Sequence, residues 1–190
     1  MNKTGSLKDN AIVYGHFSWG THNFYGARPV YAAILREPVE RVISWYGYKR
    51  ASVARDSTGE VAQNSLADLV AAGHIELNNH MTQIISGVNL TPSNGESAFA
   101  LACENLKNFA WVSTNRRLRK DIQALSDYVG VKIPHVRRVN VGKPLKITEA
   151  DRAAILAANQ LDSALFAYAE TIAGLRSESA PSRNWFRRYI

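Results

Sequence analysis

Apolar and polar positions along this chain fall into short blocks that alternate between two periods. Val30 to Leu35 is an unbroken apolar run of strand length, as expected of a strand buried in a sheet. Arg36 and Glu37 then form a charged break, and Pro38 opens a helix, since proline at the first helical position loses an N–H that has no intrahelical partner there. Beyond it Val39, Val42, Ile43 and Tyr46 recur at i, i+3, i+4 and i+7, which predicts an apolar stripe packed on the sheet. Glu37, Arg41, Ser44 and Tyr48 make a second, polar stripe.

The rest of the chain yields to the same logic. Short strands are predicted over Ala11 to Phe17 and over Phe109 to Thr114. Helices are predicted over Ser65 to Ala72 and Leu77 to Ser86, each ended by a glycine, and over Glu96 to Asn108. Another is expected over Arg116 to Val129 with Leu118, Ile122 and Leu125 inward. Thr148 followed by Asp151 forms a capping pattern that starts a helical segment running to about Gly174, broken near Asn159. Trp19–Arg28, Ala51–Ser65 and Val131–Lys146 are expected to be loops. Strands alternating with helices point to an α/β layer structure with a parallel sheet. The expected organisation is a disordered segment over 1–10, one domain over 11–175, and a basic aromatic tail over 176–190 that carries Trp185, Phe186 and Tyr189.

Composition narrows the possible partners. With 190 residues, 46% of them hydrophobic, the chain can bury a sizeable core as one domain. A formal net charge of +7 favours anionic partners such as nucleotides, sulfated or phosphorylated molecules, nucleic acid or an acidic surface. The single Cys103 excludes an internal disulfide framework and a multi-cysteine zinc site; it lies in an apolar helical run and is expected in the core. His74, His80 and His135 are not paired with Cys, Asp or Glu at ligand spacing, so no metal is assigned. No apolar run approaches the ~18 residues of a membrane span, and the polar N-terminus is not a signal peptide, so a cytoplasmic location is expected.

Three places carry candidate chemistry. A strand that feeds a helix N-terminus through an arginine offers backbone N–H groups, a favourable dipole and a guanidinium fork at one spot, which suits an anion. Arg36 is the arginine; its alternative role is an ordinary surface ion pair with Glu37 or Glu40. Arg41 is expected to be a structural ion-pair residue within the helix. His16, at a Gly-His strand end, suits proton removal near neutral pH, with His22 a further candidate for contact with an acceptor. Arg137, Arg138, Lys143 and Lys146 surround "VNVGK" and form either a second anion contact or a solvated basic face.

"YGHFSWG" followed by "AILREPVERVISWYGY" resembles the carbohydrate sulfotransferases of the heparan sulfate 2-O-sulfotransferase type, sulfotransferase family 2. "NNHMTQIISG", "FAWVSTNRRLRKDIQALSDYVGV" and "NQLDSALFAYA" resemble later segments of the same family, so the similarity spans roughly 11–175. The resemblance implies a P-loop nucleotide-binding type of fold and 3′-phosphoadenosine 5′-phosphosulfate as sulfuryl donor, with no metal. It implies that Arg36 and Ser44 hold the donor's 3′-phosphate, that His16 is the catalytic base, and that Arg138 and Lys143 add cationic contacts. The acceptor implied is a hydroxyl of an anionic carbohydrate. Glu37 stands where that family usually has aspartate.

The family's N-terminal strand, phosphate loop and helix have no full counterpart. "NKTGS", Asn2 to Ser6, is reminiscent of the loop, but only Leu7 to Asn10 separate it from the next expected strand, too few for a helix. The first strand-loop-helix unit is therefore expected to be missing, as in a truncated chain, a divergent loop or an inactive relative. Losing even one such phosphate-loop donor costs ~100- to 1000-fold in rate. Two alternatives to a transferase stand beside it: a catalytically inactive nucleotide- or glycan-binding relative, and a basic nucleic-acid-binding protein, for which the tail aromatics beside arginines speak.

Overall fold

A computed structural model describes residues 13, 15–25, 29–53, 61, 64–133 and 145–178. Two strands, β1 (Ala32–Leu35) and β2 (Trp111–Thr114), pair in parallel, with Ala32 opposite Trp111 and Leu35 opposite Thr114. Parallel neighbours need a long crossover. Here it is built from α1 (Pro38–Val53), α2 (Leu66–Ala71), α3 (His80–Ser86) and α4 (Gly95–Asn108). After β2 come α5 (Leu118–Val129), α6 (Glu149–Ala158) and α7 (Gln160–Glu178). The architecture is thus α/β, a small parallel sheet flanked by helices.

Two apolar clusters hold it together. One joins Leu35 and Val112 of the sheet to Met81 and Ile85 of α3, Leu106 of α4, and Leu165 and Phe166 of α7. The other joins Val39, Val42 and Tyr46 of α1 to Leu66, Leu69 and Val70 of α2, with Leu77 and with Ile155 of α6. The apolar stripe expected on α1 is buried, but it packs against α2, Leu77 and α6, not in the cluster that contains the sheet.

Local signals fixed most of the element ends. Gly87 and Gly130 close α3 and α5 at φ +74° and +65°, a left-handed geometry that glycine adopts without the penalty a Cβ brings. At α6, Thr148 Oγ1 accepts the Asp151 N–H at 3.0 Å while Asp151 Oδ2 accepts the Thr148 N–H at 2.9 Å, so the capping box closes in both directions. α2 carries the same device in Ser65 and Asp68. The helical segment from Thr148 is two helices, parted at the fully buried Asn159.

Some expectations need correction. The strand predicted over 11–17 is absent from its described residues, 13 and 15–17, which are irregular. β1 is shorter than the apolar run and is not buried on both faces: Ile34 is 46% exposed and Val30, ahead of it, 58%. Apolar continuity alone does not distinguish a doubly covered strand from one with an open face. Helix α3 starts at His80, three residues late, because residues 75–77 form a turn in which the Leu77 N–H bonds His74 O at 2.8 Å. The N-terminal segment 1–10, the tail from 179 and most of the basic loop, 134–144, lie outside the described residues.

Candidate functional site

Arg36 and Glu37 follow the last residue of β1, so they sit at the carboxyl end of a parallel strand, where open α/β sheets place their ligand sites. Glu37 is the N-cap of α1. Its carbonyl accepts the Arg41 N–H at 2.9 Å, and its carboxylate turns back to accept the Glu40 N–H at 2.8 Å. Asn115, just beyond β2, clasps this corner by accepting the Glu37 N–H at 3.3 Å and donating to Glu40 Oε2 at 2.9 Å. The helix N-terminus is therefore partly satisfied by its own carboxylate.

Arg36 faces solvent, its side chain 44% exposed, and its Nε lies 3.8 Å from Glu40 Oε2. That is the ion-pair alternative read from the sequence, in a loose form: exposed pairs at such a distance contribute only ~0–1 kcal/mol. Ser44 is exposed one helical turn beyond Glu40. Arg36 and Ser44 thus flank Glu40 on one edge of α1, with a carboxylate between them. Arg138 and Lys143 lie outside the described residues, as do Arg137 and His135.

Arg41 departs from the sequence expectation. Its guanidinium does not pair within α1; it reaches to the turn before α3, where Nη2–H donates to Glu76 O at 2.5 Å. There it joins a cluster that spacing did not reveal. Glu76 Oε2 lies 3.1 Å from His80 Nε2, and the His80 side chain is only 16% exposed. Asp162, fully buried at the start of α7, accepts the Met81 N–H at 3.0 Å, the Thr82 N–H at 2.7 Å and the Thr82 hydroxyl at 2.8 Å. Asn79 returns the favour: its Oδ1 accepts the Leu161 and Asp162 N–H groups at 3.0 and 3.1 Å. The N-termini of α3 and α7 cap one another.

Asn79 holds φ +47° to do so, a conformation asparagine tolerates better than most residues. Asn159 completes the junction, accepting the Asn79 N–H at 2.9 Å and donating to Leu77 O at 2.7 Å. The network lies where the two apolar clusters meet, with Leu77 in one and Met81 in the other.

The charges in this network act on one another. Burial pulls the Arg41 guanidinium below its ordinary range, opposed by Asp162 and Glu76 and reinforced by Arg36. Burial likewise holds His80 below the usual imidazole range; Glu76 and Asp162 oppose this, while Arg41 and His16 add to it. Asp162 is pushed up by burial, against the hydrogen bonds it accepts and the attraction of Arg41. Arg36 and His16, assigned separately from the sequence, are thus both within electrostatic reach of the Arg41–His80 pair.

His16 itself is exposed. Its segment is fastened to α3 by Trp19, whose N–H donates to Ile84 O at 2.8 Å. His22 has a structural place: its Nδ1 lies 2.5 Å from the Tyr31 hydroxyl, in an aromatic group with Trp19 and Phe109. His74 packs against Trp45, with ring centroids 4.9 Å apart, and accepts the Glu76 N–H. Cys103 is half-buried against the first cluster, its thiol pushed up by that burial, which does not suit a nucleophile.

Among the described residues no three His, Cys, Asp or Glu side chains come together as a metal site, and no helix is long and apolar enough to cross a membrane. No family model, curated protein or solved structure matches this chain.

Proposed function

We propose that this chain is a sulfotransferase-like domain of the P-loop nucleotide-binding type. It binds 3′-phosphoadenosine 5′-phosphosulfate and transfers the sulfuryl group to a hydroxyl, that of a carbohydrate. The single observation that carries the proposal is the corner at Arg36: a parallel strand ends, an arginine with a half-exposed guanidinium follows, and a proline-started helix leaves with Ser44 on its exposed edge. A guanidinium in a loose, exposed pair can turn to a phosphate at little cost and grip it bidentately. Ser44 supplies a hydroxyl to the same anion. Arg138 and Lys143 belong to the reading as further cationic contacts. The base is assigned by the resemblance to the histidine corner, at His16. In-line transfer there would rest mainly on positioning and electrostatics.

The carboxylates of Glu37 and Glu40 at the same corner favour a second reading. They oppose a dianion and must yield before a phosphate can settle, as expected of a relative that binds a nucleotide or glycan weakly and does not turn it over. Titration with 3′,5′-adenosine diphosphate, repeated on Arg36→Ala and Ser44→Ala, tests both. Saturable binding weakened ~10- to 100-fold in Arg36→Ala is expected, the worth of a charge-assisted hydrogen bond. No saturable binding, or equal binding by both variants, refutes the nucleotide assignment. Binding without transfer of labelled sulfate to any saccharide decides for the second reading.

A further inference from the structure

Register assigns each sheet residue to a face, since side chains alternate along a strand and partners in a parallel pair point the same way. Leu35 and Val112 belong to the face packed on α7, in the first apolar cluster. Ala32 and Ile34 share the opposite face with Trp111 and Ser113. Helix α5 covers the β2 half of that face: Trp111 and Ser113 are buried, and the Ser113 hydroxyl donates to Asp121 Oδ2 at 2.7 Å. The β1 half is open, with Ala32 and Ile34 both exposed. The same gap shows on α5. Its apolar stripe, Leu118, Ile122 and Leu125, is only half-buried, although Asp121 and Ser126 on either side of the stripe are buried. An apolar strip is thus left between α5 and the outer edge of β1.

The chain that follows α7 starts within reach of this strip. α7 lies on the other face and ends at the amino edge of the sheet, where the Arg176 guanidinium donates to Phe109 O at 2.9 Å and to Lys107 O at 2.8 Å, just ahead of β2. β1 starts beside that point, with the Ala110 N–H donating to Tyr31 O at 2.9 Å. Residues 179–190, which lie outside the described residues, span ~40 Å when extended, about three times the length of a four-residue strand. That is enough to round the amino edge and run along the open half. Trp185, Phe186 and Tyr189 supply the apolar surface the strip lacks, and Arg187 and Arg188 stand between them. Charge agrees with this course. α5 passes Ser113 in its first turn and descends toward the same amino edge, where Asp127 is exposed and the last turn carries no basic side chain, so the negative end of the helix dipole and a carboxylate await the arginines. A second copy of the chain, with the same net charge of +7, would meet self-repulsion. We propose that residues 179–190 dock on the open half of the sheet, their aromatic side chains covering Ile34 and the apolar stripe of α5. The tail aromatics are then packing groups, not a stacking platform for nucleic acid, whatever the chain's activity.

The test uses the full chain and the fluorescence of Trp185, read as the difference between the native protein and Trp185→Phe. A docked indole should emit to the blue of N-acetyltryptophanamide and be quenched several-fold less by acrylamide, at every protein concentration. Ile34→Asp puts a carboxylate at a position that is already exposed, so the fold should persist while Trp185 returns to the emission and quenching of the free amide. Leu101→Asp makes the same change at an exposed position of α4 and should leave Trp185 protected. Phe186→Ser combined with Tyr189→Ser alters the tail alone and should release Trp185 as Ile34→Asp does, so the outcome does not depend on how one sheet variant folds. A Trp185 quenched as freely as the amide in the native chain, protection that survives both Ile34→Asp and the double tail variant, or equal release by Leu101→Asp would each overturn the proposal. Protection that grows with protein concentration, together with a dimer in sedimentation velocity, would give the open face to a second copy and overturn it as well.

Discussion

Glu40→Gln should tighten binding of 3′,5′-adenosine diphosphate, and the size of the gain follows from the corner's geometry. Glu40 Oε2 lies 3.8 Å from Arg36 Nε, with both side chains about half exposed. At that separation two unit charges attract by ~1 kcal/mol in a water-like dielectric, within the range seen for exposed pairs. A phosphate that takes Arg36 must first break this attraction, and it then meets repulsion from the carboxylate left behind, also ~1 kcal/mol at surface exposure. Neutralising Glu40 removes both, so affinity should rise ~5- to 30-fold. The amide oxygen can still accept from Asn115 Nδ2, which now donates to Glu40 at 2.9 Å, so the corner keeps its shape. Calorimetric titrations at low and at high salt provide the assay, and the gain should shrink as salt screens exposed charges. Glu104→Gln is the control: it makes the same charge change at an exposed pair with Lys107, 3.3 Å away, on another helix. Equal gains from both substitutions would mean that net charge alone is at work, and no gain from Glu40→Gln would refute a phosphate at Arg36.

Asp162→Ala removes the acceptor of three buried donors and should cost ~3–5 kcal/mol, read as a lower midpoint in urea unfolding; a loss under ~1 kcal/mol would show that the mutual capping of α3 and α7 is not what secures them. Because His80 is held below its unfolded value of about 6.5 by burial first of all, the unfolded chain binds a proton before the folded one does as pH falls below that value. Stability should therefore drop with falling pH from about 6.5 down to the lowered folded value, and His80→Gln should flatten that part of the profile. Asp151, lowered by the hydrogen bonds from Thr148, gives stability that is present above 3.8 and lost as pH falls through its lowered folded value; Asp151→Asn should remove that component. Gly87→Ala places a Cβ 2.6 Å from the Trp19 carbonyl oxygen at φ +74° and should cost ~2–3 kcal/mol in chemical denaturation, since the backbone cannot yield as a side-chain tip would.

Much of the fold was legible because it rests on local chemistry. Pro38, the Thr148–Asp151 box, Gly87 and the break at Asn159 each act within a few residues, and each marks an element end where expected. The strand over 11–17 failed for the complementary reason: a short apolar run has no local device that commits it to a sheet, and pairing depends on neighbours far along the chain. Glu37 shows a signal available but not used. Proline at the first helical position makes the preceding residue the N-cap, and an acid there turns its own carboxylate onto the helix, so part of the expected anion site is filled from within.

The Arg41–His80 cluster was illegible for reasons of geometry. On α1, Arg41 shares the polar stripe with Ser44, and helical periodicity treats them alike; yet Val42 beside it is fully buried, and a long side chain so placed extends over the neighbouring turn while a serine stays at the surface. Which turn covers that edge is decided by contacts 35 residues away in sequence. Glu76 and His80 stand four apart, but Glu76 precedes the helix, so the i, i+4 rule that would have paired them does not apply; the turn at 75–77 brings them together instead. Mutual capping by Asn79 and Asp162 spans about 80 residues and leaves no local trace beyond two polar residues near helix starts. The sequence-legible corner at Arg36 and the illegible one at His80 are nonetheless physically continuous, because Arg36 acts on Arg41 and Arg41 on His80. An anion drawn to Arg36 raises the proton affinity of Arg41, which is charged at neutral pH in either case, so the influence of Arg41 on His80 stays in place. The His80 titration should therefore stay in place when 3′,5′-adenosine diphosphate binds at Arg36, and an upward move on binding would show that the phosphate settles closer to His80 than the Arg36 corner.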